Sequence, residues 1–131
     1  PKISDWKTYN CFDFYVAEVE SIRNNGGYDR ADLIMKFLLQ KRHLAPTHGS
    51  TLYIPEKNYD PLVIDKVPDF FITGHIHKAN ISSYKGVSTI SGSCWQAKTT
   101  FQEKVGHNPE PARVPLVNLK TRVMTMMRFD T

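Results

Sequence analysis

Apolar positions along the chain recur with two different periods, and the change falls near residue 62. Over residues 12–23 apolar side chains return every three or four positions, which predicts an amphipathic helix. A second helix is predicted directly after it, with Asp29 as N-cap and Asp32 in the capping-box position. Its buried stripe is expected to consist of five apolar side chains: Ala31, Ile34 and Leu38, with Leu33 and Phe37.

Beyond residue 62 the pattern becomes typical of short strands. The runs are rich in β-branched and aromatic residues and are bounded by Pro, Gly, Asn or Asp: LVI, DFFIT, ANISSY, GVSTIS, VPLVNL and RVMTMMRF. Lys85 and Gly86 lie between two of them, which predicts a hairpin turn. The preceding segment, residues 43–62, is expected to be an ordered loop with a short strand near Leu52 to Ile54. Helices followed by mostly antiparallel strands favour a layered α/β fold.

Length and composition limit the class of protein. With 131 residues, 40% of them hydrophobic, the chain can form one globular core, either a whole domain or part of a larger one. No run reaches the roughly 20 apolar residues that cross a bilayer, and no signal peptide is recognisable, so an intracellular protein is expected. Cys11 and Cys94 support neither a disulfide framework nor a cysteine zinc site. A first residue of Pro1 indicates a processed chain or a fragment.

The basic excess is concentrated at the C-terminal end of the sequence. The net charge is +4, and residues 78–131 carry eight basic against three acidic side chains. This asymmetry can attract a polyanion, but an ordinary solvated surface is the favoured explanation because the sequence contains no dense Lys/Arg block. Residues 93–113 form a long polar segment, and loops of that length are usually functional or bound to a partner.

The candidate chemistry centres on a Gly-His-Ile-His run after the strand Phe70–Ile72. On an extended backbone, His75 and His77 would face the same way, and Gly74 would leave room for a bound group. The pair could hold one metal ion or two adjacent ions, or it could be an exposed, hydrogen-bonded pair without metal. A hydrolytic metal site needs more ligands than two imidazoles, so further ligands would have to come from elsewhere.

The segments MKFLLQKRHLAPTHGS (35–50) and DPLVIDKVPDFFITGHIHKANISSYKGVSTISGSCWQAKTTFQEKVGHNPEPARVPLVNLKT (60–121) carry a wider likeness. Together they resemble the C-terminal part of the small subunit of the archaeal family D DNA polymerase. That family belongs to the calcineurin-like metallophosphoesterases. The resemblance implies that residues 1–131 are the C-terminal portion of a single phosphoesterase domain, a layered α/β sandwich.

The resemblance also implies an activity and a setting. The expected activity is a proofreading 3′–5′ exonuclease that hydrolyses phosphodiester bonds with two divalent ions, Mn²⁺ foremost, with Mg²⁺, Zn²⁺ or Fe as alternatives. His75 and His77 match the family's Gly-His-x-His metal ligands. The implied partners are the large catalytic subunit and the primer 3′ end, in the archaeal cytosol and without a membrane.

Two departures from the family pattern leave other functions open. The N-terminal metal motifs Asp-x-His, Gly-Asp and Gly-Asn-His-Asp are missing, and Thr8 or Asn10 stands where the family usually has a further histidine. An inactive scaffold that only binds the large subunit is therefore the main alternative. A phosphoesterase acting on small substrates is a weaker one.

Other polar and aromatic residues have both a functional and a structural interpretation. Trp95, Gln96 and Lys98 could contact a frayed primer end, whereas core packing would equally explain Trp95. Lys104 and Arg113 could contact phosphate or a partner, or belong to an ordinary surface. His43 is expected to be a structural, hydrogen-bonded residue at the end of the second helix. No chemistry is assigned to two further histidines: His48 and His107.

Overall fold

A computed structural model describes residues 29–46, 57–104 and 106–129 of the chain. These residues form a mixed α/β structure in which one helix precedes all the strands, as the change of period predicts. In chain order the elements are α1 (Ala31–Lys41), β1 (Phe70–Thr73), β2 (Asn80–Tyr84), β3 (Val87–Ser91), α2 (Thr100–Lys104), β4 (Arg113–Val117) and β5 (Met124–Arg128). The helix predicted over 12–23 and the strand predicted near Leu52 to Ile54 lie outside the described residues.

Strand β3 is the middle strand of a three-stranded sheet with the order β1-β3-β2. It pairs antiparallel with β2 and parallel with β1, where Phe70 lies opposite Ser88. All five residues of β3 are buried, although three of them are polar: Ser88, Thr89 and Ser91. The parallel pairing places the C-terminal end of β1, and the loop that follows it, beside the end of β3.

The turn between β2 and β3 is the predicted one. Lys85 and Gly86 both have positive φ, 46° and 81°, as expected for a two-residue hairpin turn that follows the twist of the strands. Strands β4 and β5 form a separate antiparallel ribbon. Of the three strand pairings in the described residues, only that of β1 with β3 is parallel, so the expectation of mostly antiparallel strands is confirmed.

Helix α1 packs against β2 and β3 and supplies much of the core. The predicted stripe is correct for Ala31, Ile34 and Leu38, whereas Leu33 and Phe37 are only partly buried. The core cluster contains nine buried apolar residues: Ala31, Ile34, Met35, Leu38, Leu39, Leu44, Ile64, Phe71 and Val87. Burial of this apolar surface is the main force that holds the helix on the sheet.

The prediction that Asp29 caps α1 is wrong. The N-cap residue is Arg30, and it makes no side-chain capping hydrogen bond. Asp29 instead forms an ion pair with Lys78, at 3.0 Å between Oδ1 and Nζ. Asp32 lies in the first turn, where the adjacent Arg30 guanidinium lowers the pKa of its carboxyl group.

The predicted strand run LVI is reduced to a single bridge. Within it only Val63 forms a bridge, and its partner is His43. The backbone N–H of Leu44 donates to the carbonyl of Leu62 at 2.8 Å, so this segment still runs along the end of α1. No helix in the described part of the chain is long and apolar enough to span a membrane.

Candidate functional site

The Gly-His-Ile-His run forms the loop that connects β1 to β2. It begins directly after Thr73, the last residue of β1, whose side chain is buried. A Cβ atom built on Gly74 would meet nothing within 4 Å, so there is open space beside the start of this loop. The loop is therefore anchored by a strand with one buried face and adjoins space that a bound group can enter.

The two histidines do not have the extended backbone that the sequence predicted. His75 and His77 have positive φ, 77° and 55°, because the chain turns sharply at the end of β1. Their rings nevertheless lie close together, with centroids 6.5 Å apart and planes tilted by 56°. His75 is exposed, whereas His77 is partly buried.

Glu110, from the long segment after β3, holds the histidine loop through two contacts. Its backbone N–H donates to the carbonyl of His77 at 2.8 Å, and its carboxylate accepts from the backbone N–H of Ala79 at 2.9 Å. The hydroxyl of Ser93 donates to the carbonyl of Glu110. This network joins the loop to the segment that follows β3.

Gln102, in the short helix α2, contacts the His77 ring directly. Its Nε2 lies 2.8 Å from Nδ1 of His77. A cleft of about 170 Å³ opens beside this contact. It is bounded by the histidine loop on one side and by Gln102 and residues 106–109 on the other, and Asp29, Lys78 and His107 contribute to its polar lining.

The residues in the described part of the chain fit part of a metal site but not a whole one. Imidazole nitrogen is a good ligand for Zn²⁺ and Fe, and two rings stand side by side here. However, the described ranges contain no group of three or more His, Cys, Asp or Glu side chains that could surround an ion. His75 and His77 can therefore supply at most two ligands of the three or more that a hydrolytic site uses.

His43 is a structural residue, as predicted. Its Nδ1 accepts from the backbone N–H of Ala45 at 3.0 Å, and its Nε2 lies 2.9 Å from Oδ2 of Asp60. An amide N–H can only donate, so the proton of the neutral ring is on Nε2 and points to Asp60. This hydrogen bond lowers the pKa of the Asp60 carboxyl, and the backbone N–H of Leu62 lowers it further.

The side chains predicted to contact DNA are on the surface. Trp95 is 72% exposed, so the interpretation of this residue as core is wrong. Its ring lies against Phe129, with centroids 6.1 Å apart. Gln96 and Lys98 are exposed, and Nζ of Lys98 donates to Oδ1 of Asn108 at 2.9 Å.

The basic residues singled out for contact with phosphate or a partner differ in exposure. Lys104 is exposed, whereas Arg113 is partly buried and donates to the carbonyl of Pro111 at 3.3 Å. His107 is also exposed, in the lining of the cleft. His48 lies outside the described residues.

Sequence reasoning missed two residues of the site, Gln102 and Glu110. A signal for Gln102 exists, because Thr99-x-x-Gln102 is a capping box that predicts the start of a helix. Glu110 has no such signal, since its contact with Ala79 joins residues 31 positions apart.

No protein-family model matches the chain. Individual proteins do match it. The chain is 38% identical over 104 residues to the DNA polymerase II small subunit of Thermoplasma acidophilum, a match that covers 79% of this chain and 21% of that protein. For the DNA polymerase II small subunit of Archaeoglobus fulgidus the identity is 42% over 87 residues, covering 66% of this chain and 18% of that protein.

A match over more residues is found with the DNA polymerase II small subunit of Pyrococcus furiosus. The two are 36% identical over 125 residues, and the match covers 90% of this chain and 20% of that protein. The chain thus spans about a fifth of the length of the curated relatives it matches. Over these matched residues it belongs to the family of archaeal DNA polymerase II small subunits.

Proposed function

We propose that the chain acts as part of the small subunit of an archaeal DNA polymerase, and that this subunit removes nucleotides from a primer 3′ end by metal-dependent hydrolysis. The observation that carries the proposal is the placement of His75 and His77, whose rings lie 6.5 Å apart on a loop anchored by a strand with one buried face. The proposed partners are the large catalytic subunit and the primer, and the proposed location is the cytosol.

The same proposal assigns residues 1–131 to the C-terminal portion of a calcineurin-like phosphoesterase sandwich. His75 and His77 would hold two divalent ions, Mn²⁺ foremost, with Mg²⁺, Zn²⁺ or Fe as alternatives. When bound, such ions activate a water molecule and offset the charge that develops on the phosphate. The remaining ligands would come from protein outside the described residues, because these residues offer no third one beside the pair.

The chain's own residues would position the substrate. Trp95 presents an exposed ring on which an unpaired base can stack. Lys98 lies in the same exposed segment and can contact a phosphate, and Gln96 can donate to or accept from a base. Glu110 would keep the histidine loop in place through its bonds to His77 and Ala79.

A second function is supported by the incomplete ligand set. If the missing ligands are absent from the whole subunit too, the fold would serve only as a scaffold for the large subunit. The sequence favours this alternative at one point, since Thr8 or Asn10 stands in the place of a further family histidine.

The discriminating experiment uses the full-length subunit bound to its large subunit. Bound Mn²⁺ and the degradation of a labelled primer 3′ end are measured for wild type, His75→Ala and His75→Gly. Both variants lack the imidazole, but glycine adopts the positive φ of this position without strain. We expect both variants to lose metal and degradation while large-subunit binding persists.

The two functions give opposite results in this experiment. If wild type degrades the primer 3′ end and neither variant does, the scaffold function is contradicted. If wild type binds the large subunit but neither binds metal nor degrades the primer, the nuclease function is contradicted.

A further inference from the structure

The side chain of Gln102 takes part in two interactions that depend on each other. Its Oε1 accepts from the backbone N–H of Thr99 at 3.0 Å, while the Thr99 hydroxyl accepts from the backbone N–H of Gln102 at 3.3 Å. This reciprocal pair is a capping box at the start of α2. The other end of the same amide, Nε2, is 2.8 Å from Nδ1 of His77.

The capping box determines which way the amide faces. A backbone N–H cannot bond to an NH₂ group, so Thr99 requires Oε1 on its side. Turning the amide over would lose that hydrogen bond and place Nε2 against the Thr99 donor. The NH₂ group is therefore directed at the His77 ring because of a contact on the far side of the amide.

The direction of the amide decides the tautomer of His77. An NH₂ group donates and never accepts, so Nδ1 of His77 must be the acceptor. In a neutral imidazole the proton is then on Nε2. Metal-ligating histidines usually show the opposite arrangement, in which one nitrogen donates its proton to an acceptor and the other binds the ion.

We propose that Gln102 is a positioning residue that holds His77 in the Nε2–H tautomer, so that a metal ion can bind Nε2 only when the Gln102 amide turns over. The part that concerns metal rests on the proposed function, whereas the tautomer does not. The ring keeps one proton throughout: Nε2 releases its proton to solvent, and Nδ1 takes one from solvent and donates it to Oε1 of Gln102. The Thr99 bond to Oε1 is lost in the same step, so metal binding weakens the start of α2.

The decisive variant is Gln102→Glu. A carboxylate can accept from Thr99 N–H and from Nδ1–H of His77 at once, so it satisfies both partners without any rotation. We expect this variant to switch His77 to the Nδ1–H tautomer and to bind Mn²⁺ about tenfold more tightly than wild type. Gln40→Glu, on the exposed side of α1, adds the same charge away from the ring and is the matched control.

The tautomer is read from long-range ¹H–¹⁵N spectra of the metal-free, ¹⁵N-labelled chain at neutral to mildly basic pH, with the His77 signals assigned by their loss in His77→Gly. Mn²⁺ affinity is measured separately by titration of the full-length subunit, because the remaining metal ligands are proposed to lie outside the described residues. The expected spectra show Nε2–H in wild type and in Gln40→Glu, and Nδ1–H in Gln102→Glu. Amide dispersion of each variant reports whether it is folded.

Either of two results would overturn the proposal: Nδ1–H in wild type, or Nε2–H in a folded Gln102→Glu. The wild-type spectrum decides the first point even if the variant does not fold. If no protein in the series binds Mn²⁺ although the tautomer switches, the tautomer role of Gln102 stands and the proposed metal-dependent function fails. If His77 changes tautomer in Gln102→Glu but this variant binds Mn²⁺ no more tightly than Gln40→Glu, the proposed coupling between the tautomer and metal binding is refuted.

Discussion

The guanidinium of Arg122, in the turn between β4 and β5, contacts the carboxylate of Asp69 just before β1. The same side chain donates to the carbonyl of Gly86 at 2.9 Å and lies over the ring of Phe70. One residue thus connects the ribbon to the beginning of β1 and to the turn between β2 and β3.

Replacing Arg122 should loosen this connection. We expect Arg122→Ala to lower the free energy of unfolding by about 1–2 kcal/mol, since it removes a partly exposed ion pair and a charged hydrogen bond. Urea unfolding monitored by circular dichroism measures the change. Lys120→Ala, in the same exposed turn, is the control and should cost less than about 0.5 kcal/mol. Equal losses in the two variants would contradict the role given to Arg122.

The hairpin turn between β2 and β3 depends on the backbone freedom of one glycine. Gly86 has φ of 81°, and a Cβ atom there would meet nothing within 4 Å. Gly86→Ala should therefore cost about 1 kcal/mol or more from backbone strain alone. Gly92→Ala is the matched control, because its Cβ would make only an ordinary contact, 3.5 Å from the carbonyl oxygen of Thr73. Thermal unfolding of both variants measures the difference, and a Gly92→Ala variant as unstable as Gly86→Ala would refute this explanation.

Acid should weaken the contact between His43 and Asp60. The hydrogen bond from His43 lowers the pKa of the Asp60 carboxyl. A carboxyl whose pKa is lower in the folded chain than in the unfolded chain stabilises the fold above the unfolded pKa, near 3.9, and loses that contribution as the pH falls through the lowered value. Asp60→Asn should thus lose less stability than wild type between about pH 5 and about pH 3. Melting temperatures of wild type and Asp60→Asn across this pH range measure the difference in stability. Asp65→Asn is the charge-matched control. A wild-type-like profile for Asp60→Asn would contradict the prediction.

The exposed ring of Trp95 should contribute to binding of single strands if the proposed function holds. We expect Trp95→Ala to weaken binding of a short single-stranded oligonucleotide by about 1–3 kcal/mol for the base that stacks on it. Phe101→Ala removes a ring that is equally exposed, at 72%, from a position with no proposed DNA contact. Fluorescence anisotropy of a labelled oligonucleotide measures both affinities. If the two variants weaken binding equally, stacking on Trp95 is not the cause.

Local patterns predicted much of this fold because they depend on neighbouring residues. Five of the six predicted runs became strands, and Lys85-Gly86 became the hairpin turn, since both features are set within a few positions. The stripe of α1 was largely correct for the same reason, but it missed Met35 and Leu39, which are buried in the core cluster.

Contacts between distant residues account for what the sequence could not predict. Asp29 had the residue type of a helix cap, but its carboxylate pairs with Lys78 from another part of the chain. The parallel pairing of β1 with β3 and the contact of Glu110 with Ala79 depend in the same way on tertiary structure. Within the site, the histidine pair was visible in the sequence, whereas the residues that orient it were not.

The positive φ of both His75 and His77 limits which amino acids this loop can accept. Left-handed backbone is easiest for glycine, is tolerated by asparagine and aspartate, and is poorly tolerated by β-branched residues. A saturation library at these two positions, selected only for folding, should therefore lose valine, isoleucine and threonine first. The main chain alone thus excludes a class of replacements at these positions, whatever chemistry the imidazoles perform.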